Sequence, residues 1–563
     1  MNDPETAWRT AYHHPGAWDR AFPPQTMIAL FEQSARERGD APLIEFLGRR
    51  YSYAETLDGA SRVACGLAAL GYGKGDRIGL YLPNVPHYVA AYYGILKLGA
   101  TVVNFSPLYT ADELAHQVED SGTRLLFTIS ASALLPTAVK VLDQSSLERL
   151  VVGSVAGALP AAKSVFYRML KRKEIAPRPD DSRITAFSAL IANPGACETP
   201  PLDPMTDLAL IQYTGGTTGS PKGAMLSHQN LSANARQVAE VDPQRGIGVD
   251  RILGALPMFH VFANTCVLNR TVVAGGEMVL LPRFEAGAAL AAIARTGATA
   301  LPGVPTMYRA LLEHPSLTKT DLSSLRICIS GGAPLPAELK ARFEEVSGAK
   351  LVEGYGLSES SGVVSTNPYE GLNKSGTIGL PLPATRVRLV DKADPSRPAP
   401  DGEPGEIVVA GPQIMLGYWN RPDADGEAFC HAADGSRWLR TGDVGTIDED
   451  GYIRIVDRLK DMIAVGGFKV FPSQIEAILY HHPAVREALV IGMPDTYRGE
   501  VPRAYVTLVE DSGVTGAAIA AWINPQLGKH ERLDAVVVRE ALPKTMIGKL
   551  SRKDLVAELA AEA

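Results

Sequence analysis

The sequence predicts an α/β protein. A large N-terminal domain with mixed or parallel sheets and helices is followed by a small, mobile α+β C-terminal domain. Three observations predict this. Strand and helix signals alternate between residues 77 and 128, the pattern of parallel sheet. At 563 residues the chain is too long for one core. A charged stretch at 454–471, RIVDRLKDMIAVGGFKVF, divides the long first part from a last segment of about 100 residues with strand and helix signals of its own.

Residues 1–26, rich in Pro, His and aromatics, read as an irregular lead-in, and 27–38 as an amphipathic helix. Residues 77–82 read as a strand, 86–98 as a helix stopped by Gly99, and 101–105 as a strand. Residues 111–119 then read as a helix and 125–128 as a further strand. Within 159–183, Val165, Phe166, Met169 and Leu170 share a helical face, with Lys163, Arg168, Lys171, Arg172 and Lys173 around it. Such a helix rests on an anionic membrane or, as the blander reading, packs its apolar face on the body of a solvated insertion.

A net charge of −7 argues against general nucleic-acid binding. Five cysteines (Cys65, Cys197, Cys266, Cys328 and Cys430) lie scattered without a CxxC pair, so no disulfide framework or zinc site is expected. The N-terminus lacks the order of a signal peptide, and no apolar run approaches the roughly 20 residues of a membrane span. A cytoplasmic protein is expected, at most peripherally attached to membrane.

The organising stretch is 208–230, LALIQYTGGTTGSPKGAMLSHQN. An apolar strand enters a loop in which Gly215, Gly216, Gly219 and Gly223 let backbone amides approach an anion. Thr214, Thr217, Thr218 and Ser220 add hydroxyls, Lys222 adds a positive charge, and Ser227 suits a helix N-cap. All of this suits a polyphosphate. It is not a Walker A loop, because Lys222 stands between Pro221 and Gly223. The plain alternative is a flexible linker.

This stretch resembles the phosphate loop of the adenylate-forming superfamily, which includes acyl-CoA synthetases, peptide-synthetase adenylation domains and luciferases. The pattern from Tyr213 to Leu226 is most similar to that of bacterial long- or medium-chain fatty-acyl-CoA ligases. Residues 75–110 are similar too, and the likeness runs from about residue 26 to about residue 555. In 254–263, GALPMFHVFA, the resemblance puts His260 beside the substrate carboxylate, where a lone His is otherwise a core or surface residue. Residues 297–308, GATALPGVPTMY, would shape an acyl tunnel. Residues 330–334, SGGAP, would flank adenine through Gly332, Ala333 and Pro334, although glycines at a strand end also make an ordinary turn.

In 353–360, EGYGLSES, Tyr355 offers a ring for a purine and Ser358 a hydroxyl for phosphate. Glu359 offers an oxygen for Mg²⁺, which takes few carboxylates when phosphates complete its shell. Gly356 goes with the nucleotide and Gly354 with the acyl substrate. Residues 375–383, SGTIGLPLP, match the family as well. In 441–443, Asp443 would hold the ribose hydroxyls, against the alternative of a turn aspartate. The resemblance makes Arg458 a nucleotide contact and Lys460 the hinge, with domains at 1–459 and 460–563. Gly466 and Gly467 would line a pantetheine channel once the small domain turns, the alternative being a charged surface turn. In 542–550, LPKTMIGKL, Lys549 matches the catalytic lysine. Two departures stand out: Gln474 where the family often has Glu, and 528–531, GKHE, where it often has Tyr-Lys-x-Pro.

The resemblance implies an acid–thiol ligase using ATP, Mg²⁺ and CoA. Carboxylate attack on the α-phosphorus gives an acyl-adenylate, and CoA then displaces AMP. Lys222, Glu359, Arg458 and Lys549 carry the catalysis, which is positioning and charge neutralisation. Dicarboxylate or aryl acids, or a carrier protein as acceptor, are the alternatives, and a non-catalytic lipid-binding relative is a further one. A monomer or homodimer, with no nucleic acid, is expected.

Overall fold

In the computed structural model, which describes residues 4–562 other than 215–220, 245–249, 401, 433, 467, 511 and 546–548, the apolar runs of the first part assemble into two large sheets. One has nine strands among the described residues. Its strands Arg251–Gly254, Ala300–Gly303, Ile327–Gly331 and Lys350–Tyr355 run parallel. The other has eight, with Arg77–Leu80 parallel to Thr101–Asn104 and Leu125–Ile129 on its two sides. Leu208–Thr214 extends that sheet in parallel and Lys222–Ser227 turns back antiparallel to it. These strands are near-continuous Val, Ile and Leu because helices cover both faces. One apolar core joins both sheets, and Val103, Ile211, Leu301 and Leu351 are fully buried in it.

Several expected elements are present with their expected ends. The helix Met27–Arg38 is capped by Thr26, and Pro86–Leu98 starts on a proline and ends at Gly99 with φ +78°. The strand leading into SGGAP lies at Ile327–Gly331, and Leu325 before it is taken up in a turn onto Leu322, whose carbonyl accepts its N–H. Two expectations fail. The lead-in contains a helix, Pro4–Thr10, fixed from afar: the Trp8 indole N–H donates to the Gly451 carbonyl (3.0 Å) and Glu5 pairs with Arg386 (2.8 Å). Such contacts leave no periodic signal. The helix Ala161–Leu170 forms, yet none of its residues is buried, so its apolar face does not pack on the body.

A third sheet, of five strands among the described residues, includes the antiparallel pair Arg437–Ile447 and Ile453–Arg458, joined by a turn with Gly451 at φ +83°. The fourth, also of five strands among the described residues, lies wholly in the last segment. It has an apolar core of its own, formed by Ile463, Ile475, Val490, Val506 and Ile519. A large N-terminal and a small C-terminal domain result. They meet where the Ser473 N–H donates to Asp457 (2.9 Å) and its hydroxyl to the Val456 carbonyl (2.7 Å). Among the described residues no helix is long and apolar enough to cross a membrane.

Candidate active site

Parallel pairing sets the site. Gly331 lies opposite Gly354 in the register, so the SGGAP and EGYG segments leave the carboxyl edge side by side. A Cβ at Gly331 would sit 3.1 Å from the Phe262 ring, so its absence lets the 254–263 segment close over that edge. His260 caps the helical turn there, its Nδ1 accepting from the Phe262 N–H (3.3 Å). The helix continues through a π-helical stretch, Asn264–Asn269, a form frequent at functional sites. Gly354 and Gly356 have packing reasons to lack side chains. A Cβ at Gly354 would meet the Ile329 side chain at 2.6 Å, and one at Gly356 the Gly362 carbonyl at 2.0 Å.

The third sheet supplies a second group. Asp443 and Arg458 face each other across the hairpin, Arg458 Nε 2.9 Å from the carboxylate of Asp443. Asp443 is mid-strand and buried, not the turn aspartate of the plain reading. The Tyr355 hydroxyl donates to its other oxygen, which ties the nine-stranded sheet to the third. Burial first, and then the Asp443 charge, hold the Tyr355 hydroxyl well above the usual tyrosine range. Asp443 raises the Arg458 guanidinium further.

Lys549 comes from the small domain. Its N–H donates to Thr545 Oγ1 (3.2 Å) and its carbonyl accepts from the Thr545 N–H (2.6 Å). Its side chain lies along the Gly332 backbone, where a Cβ would fall 2.2 Å from the lysine Cε. Burial lowers its pKa to about 8, the Arg458 charge acting the same way and Asp443 opposing. Burial, aided by the Lys549 charge, lowers His260 to about 3, so that imidazole is neutral. Lys549, Gly332, His260, Asp443, Arg458 and Tyr355 thus meet in one place, with Ala333 and Pro334 following Gly332.

A third group lies about Thr214 and Lys222. Thr214 and Lys222 pair across the mouth of the hairpin. Gly215, Gly216, Thr217, Thr218 and Gly219, together with Ser220, lie outside the described residues. The Lys222 ammonium stands 5.2 Å above the Tyr418 ring, and the Tyr418 hydroxyl donates to Glu359 (2.7 Å). Glu359 lies in the short turn Ser358–Ser360, held by the Met415 N–H on its carbonyl (2.8 Å). Sequence reasoning missed Tyr418. Its one signal was the aromatic pair Tyr418–Trp419, and strand pairing with Lys222–Ser227 brings Tyr418 to Lys222.

Lys460 occupies the turn Leu459–Asp461, and its ammonium is lowered by burial and by Arg458. Gly466, at φ +56°, is in a turn of the small domain, and no hydrogen bond among the described residues ties it to these groups. Gly467 lies outside the described residues. Among the described residues no cluster of three His, Cys, Asp or Glu could hold a metal ion. One carboxylate completed by phosphate oxygens is nevertheless a normal Mg²⁺ environment, and Glu359 fits it.

A family model described as AMP-binding enzyme matches residues 31–419, and one described as AMP-binding enzyme C-terminal domain matches 474–549. A long-chain-fatty-acid–CoA ligase of Bacillus subtilis (strain 168) is 38% identical over 554 residues, 98% of each chain. A feruloyl-CoA synthase of Amycolatopsis sp is 37% identical over 92% of this chain and 96% of its own. The ATP-bound crystal structure of MatB from Rhodopseudomonas palustris superposes with TM-score 0.81 at 30% identity, covering 95% of this chain and 99% of that one. Apo MatB superposes less closely, at 0.72.

Proposed function

The chain belongs to the AMP-binding enzyme family, and from that premise we propose that it is a fatty-acid–CoA ligase working through an acyl-adenylate. It is an AMP-forming acid–thiol ligase. The observation that carries the mechanism is the seat of Lys549, a small-domain residue lying against Gly332 among His260, Asp443 and Arg458. The better superposition on ATP-bound than on apo MatB supports the same reading.

In the first half-reaction a carboxylate oxygen attacks the α-phosphorus of ATP. A P–O bond forms, the bond to the β-phosphate bridge breaks, and pyrophosphate leaves. Negative charge grows on the α-phosphate, where the Lys549 ammonium offsets it, and positioned charge of this kind is typically the largest catalytic contribution. Lys222 and the 214–222 loop hold the departing phosphates. Asp443, steadied by Tyr355 and Arg458, accepts from the ribose hydroxyls, while the Tyr355 ring, Gly356 and residues 332–334 border the adenine. Ser358 offers its hydroxyl to phosphate. Glu359 would hold Mg²⁺, which when bound neutralises phosphate charge. Neutral His260 borders the carboxylate without repelling the lysine, and the backbone of Gly354 runs beside it.

In the second half-reaction the CoA sulfur attacks the acyl carbonyl, the mixed-anhydride C–O bond breaks, and AMP leaves as the thiol proton passes to solvent. For this the small domain, 460–563, turns about Lys460 and withdraws Lys549, and Gly466 and Gly467 then line the thiol path. Such a hinge needs only a few residues at the ends of elements. Contact with a bilayer, where long-chain acids dissolve, belongs to the same proposal.

The test is CoA-dependent AMP release with ATP and Mg²⁺ across saturated fatty acids, α,ω-dicarboxylic acids and benzoate-type acids. Preference for medium or long fatty acids is expected. Preference for aryl acids, the second reading that the feruloyl-CoA synthase likeness favours, would overturn the substrate and keep the mechanism. Acid-dependent pyrophosphate release without thioester formation would point to a carrier-protein acceptor.

A further inference from the structure

The helix Ala161–Leu170 presents an apolar ridge to solvent. Val165, Phe166, Met169 and Leu170 are 58%, 63%, 71% and 77% exposed. They make up four of the thirteen exposed large apolar residues among those described, and all four belong to one ten-residue helix. Their spacing places them on one face. The opposite face fixes the helix to the body. Tyr167 packs against the main core, and the Lys163 ammonium donates to the Leu47 carbonyl (2.8 Å). The ridge therefore points away from the protein by construction.

Cations surround it. Arg168 lies within the helix, and Lys171, Arg172 and Lys173 follow it. On the neighbouring hairpin, exposed Arg49 donates to the Gly157 carbonyl (3.2 Å). Lys171 pairs with Glu174 (2.6 Å). Among the described residues no acid pairs with Lys163, Arg168, Arg172, Lys173 or Arg49. A local excess of positive charge on a chain of net charge −7 is a specific feature of this surface.

We propose that this helix is a docking surface for an anionic phospholipid bilayer, its four apolar side chains entering the headgroup–acyl boundary while the cations meet lipid phosphates. A convex ridge of single side chains, flanked by an excess of cations, complements a fluid negatively charged interface. The proposal rests on the fatty-acid reading only for its purpose, delivery of an acid already dissolved in the bilayer. The surface itself does not depend on it.

The experiment is co-sedimentation of the full chain with phosphatidylcholine vesicles and with vesicles rich in phosphatidylglycerol. The wild type is expected to bind the anionic vesicles alone, and less well in high salt. Combined Phe166→Ser, Met169→Ser and Leu170→Ser substitutions should weaken binding about a hundredfold through lost apolar burial. Arg168→Gln, Arg172→Gln and Lys173→Gln together should do so by about as much. Both variants should keep wild-type turnover of a water-soluble medium-chain acid, which also reports correct folding. Three results would overturn the proposal: no wild-type binding to anionic vesicles, unchanged binding of the apolar variant, or a wild-type dimer in sedimentation velocity that the apolar variant abolishes. Binding is read without turnover, so loss of fatty-acid activity would count against the proposed reaction and leave this surface standing.

Discussion

Lys549 holds its proton less firmly in its seat than in water, about 8 against the ordinary 10.5. Seating therefore releases a proton between those two values. In the ligand-free protein the cost of seating a charged lysine is fully present below pH 8 and fades as pH rises toward 10.5. The closed arrangement should thus gain population across that window and stay level below it. A radius of gyration from small-angle scattering that contracts between pH 8 and 10.5 would agree, and one that expands would not. Lys549→Met should lower adenylate formation about 10²–10³-fold, by analogy with loss of a positioned transition-state donor. Thioester formation from preformed acyl-adenylate should survive, so parallel loss of both steps would remove Lys549 from its role. Tyr418→Phe deletes the hydroxyl on Glu359 and should cost about 1 kcal/mol there. The expected sign is a severalfold rise in the Mg²⁺ concentration giving half-maximal rate. A fall in rate that saturating Mg²⁺ does not restore would mean a merely structural hydroxyl.

Among the glycines of the strand ends, two substitutions separate seating from folding. At Gly332 a Cβ meets the flexible end of Lys549, which can swing away. Gly332→Ala, with about 1–2 kcal/mol of left-handed backbone strain, should therefore fold while losing adenylation at least about tenfold. At Gly356 the Cβ meets the backbone carbonyl of Gly362, which cannot swing. Gly356→Ala should destabilise by about 1–3 kcal/mol and lower the melting temperature by a few degrees. A Gly332→Ala variant that folds and keeps wild-type adenylation would contradict this division. The same elements mark what the sequence made legible. Glycine-rich strand ends, the 208–214 strand and the helix Pro86–Leu98 announce themselves through local residue types and periodicity. Asp443 opposite Arg458 depended on hairpin register, and Tyr418 on Glu359 depended on a short strand, Gly417–Tyr418, with no periodic signal. The helix Pro4–Thr10 was hidden for a related reason, since its partners, Arg386 and Gly451, come from the far end of the large domain. The exposed ridge of Ala161–Leu170 was legible as a pattern, while the direction it faces was set by Tyr167 and Lys163, which the pattern does not weigh.

For the molecule as a whole, the large core of the first part and the separate core of the last segment are the mark of two folding units. A chain ending at Leu459 should melt cooperatively and still bind ATP, because the strands of Thr214 and Asp443 and the turn of Glu359 are complete without the small domain. Its adenylate formation should fall to the level of Lys549→Met, as measured by pyrophosphate release, and near-normal release would refute the need for the small domain. The Arg486–Glu313 pair bridging the domains is half exposed on both sides, so Arg486→Ala should change little. The clasp between Trp8 and Gly451 has a further consequence, and it is optical. The strand Ile453–Arg458 begins beside that indole and ends at the arginine that Asp443 holds. Trp8, buried against Trp18 with ring centroids 5.4 Å apart, is then a native fluorophore wired to the strand that carries Arg458. Its emission should shift when ATP fills the site, and Trp8→Phe should darken that signal while the enzyme keeps turning over.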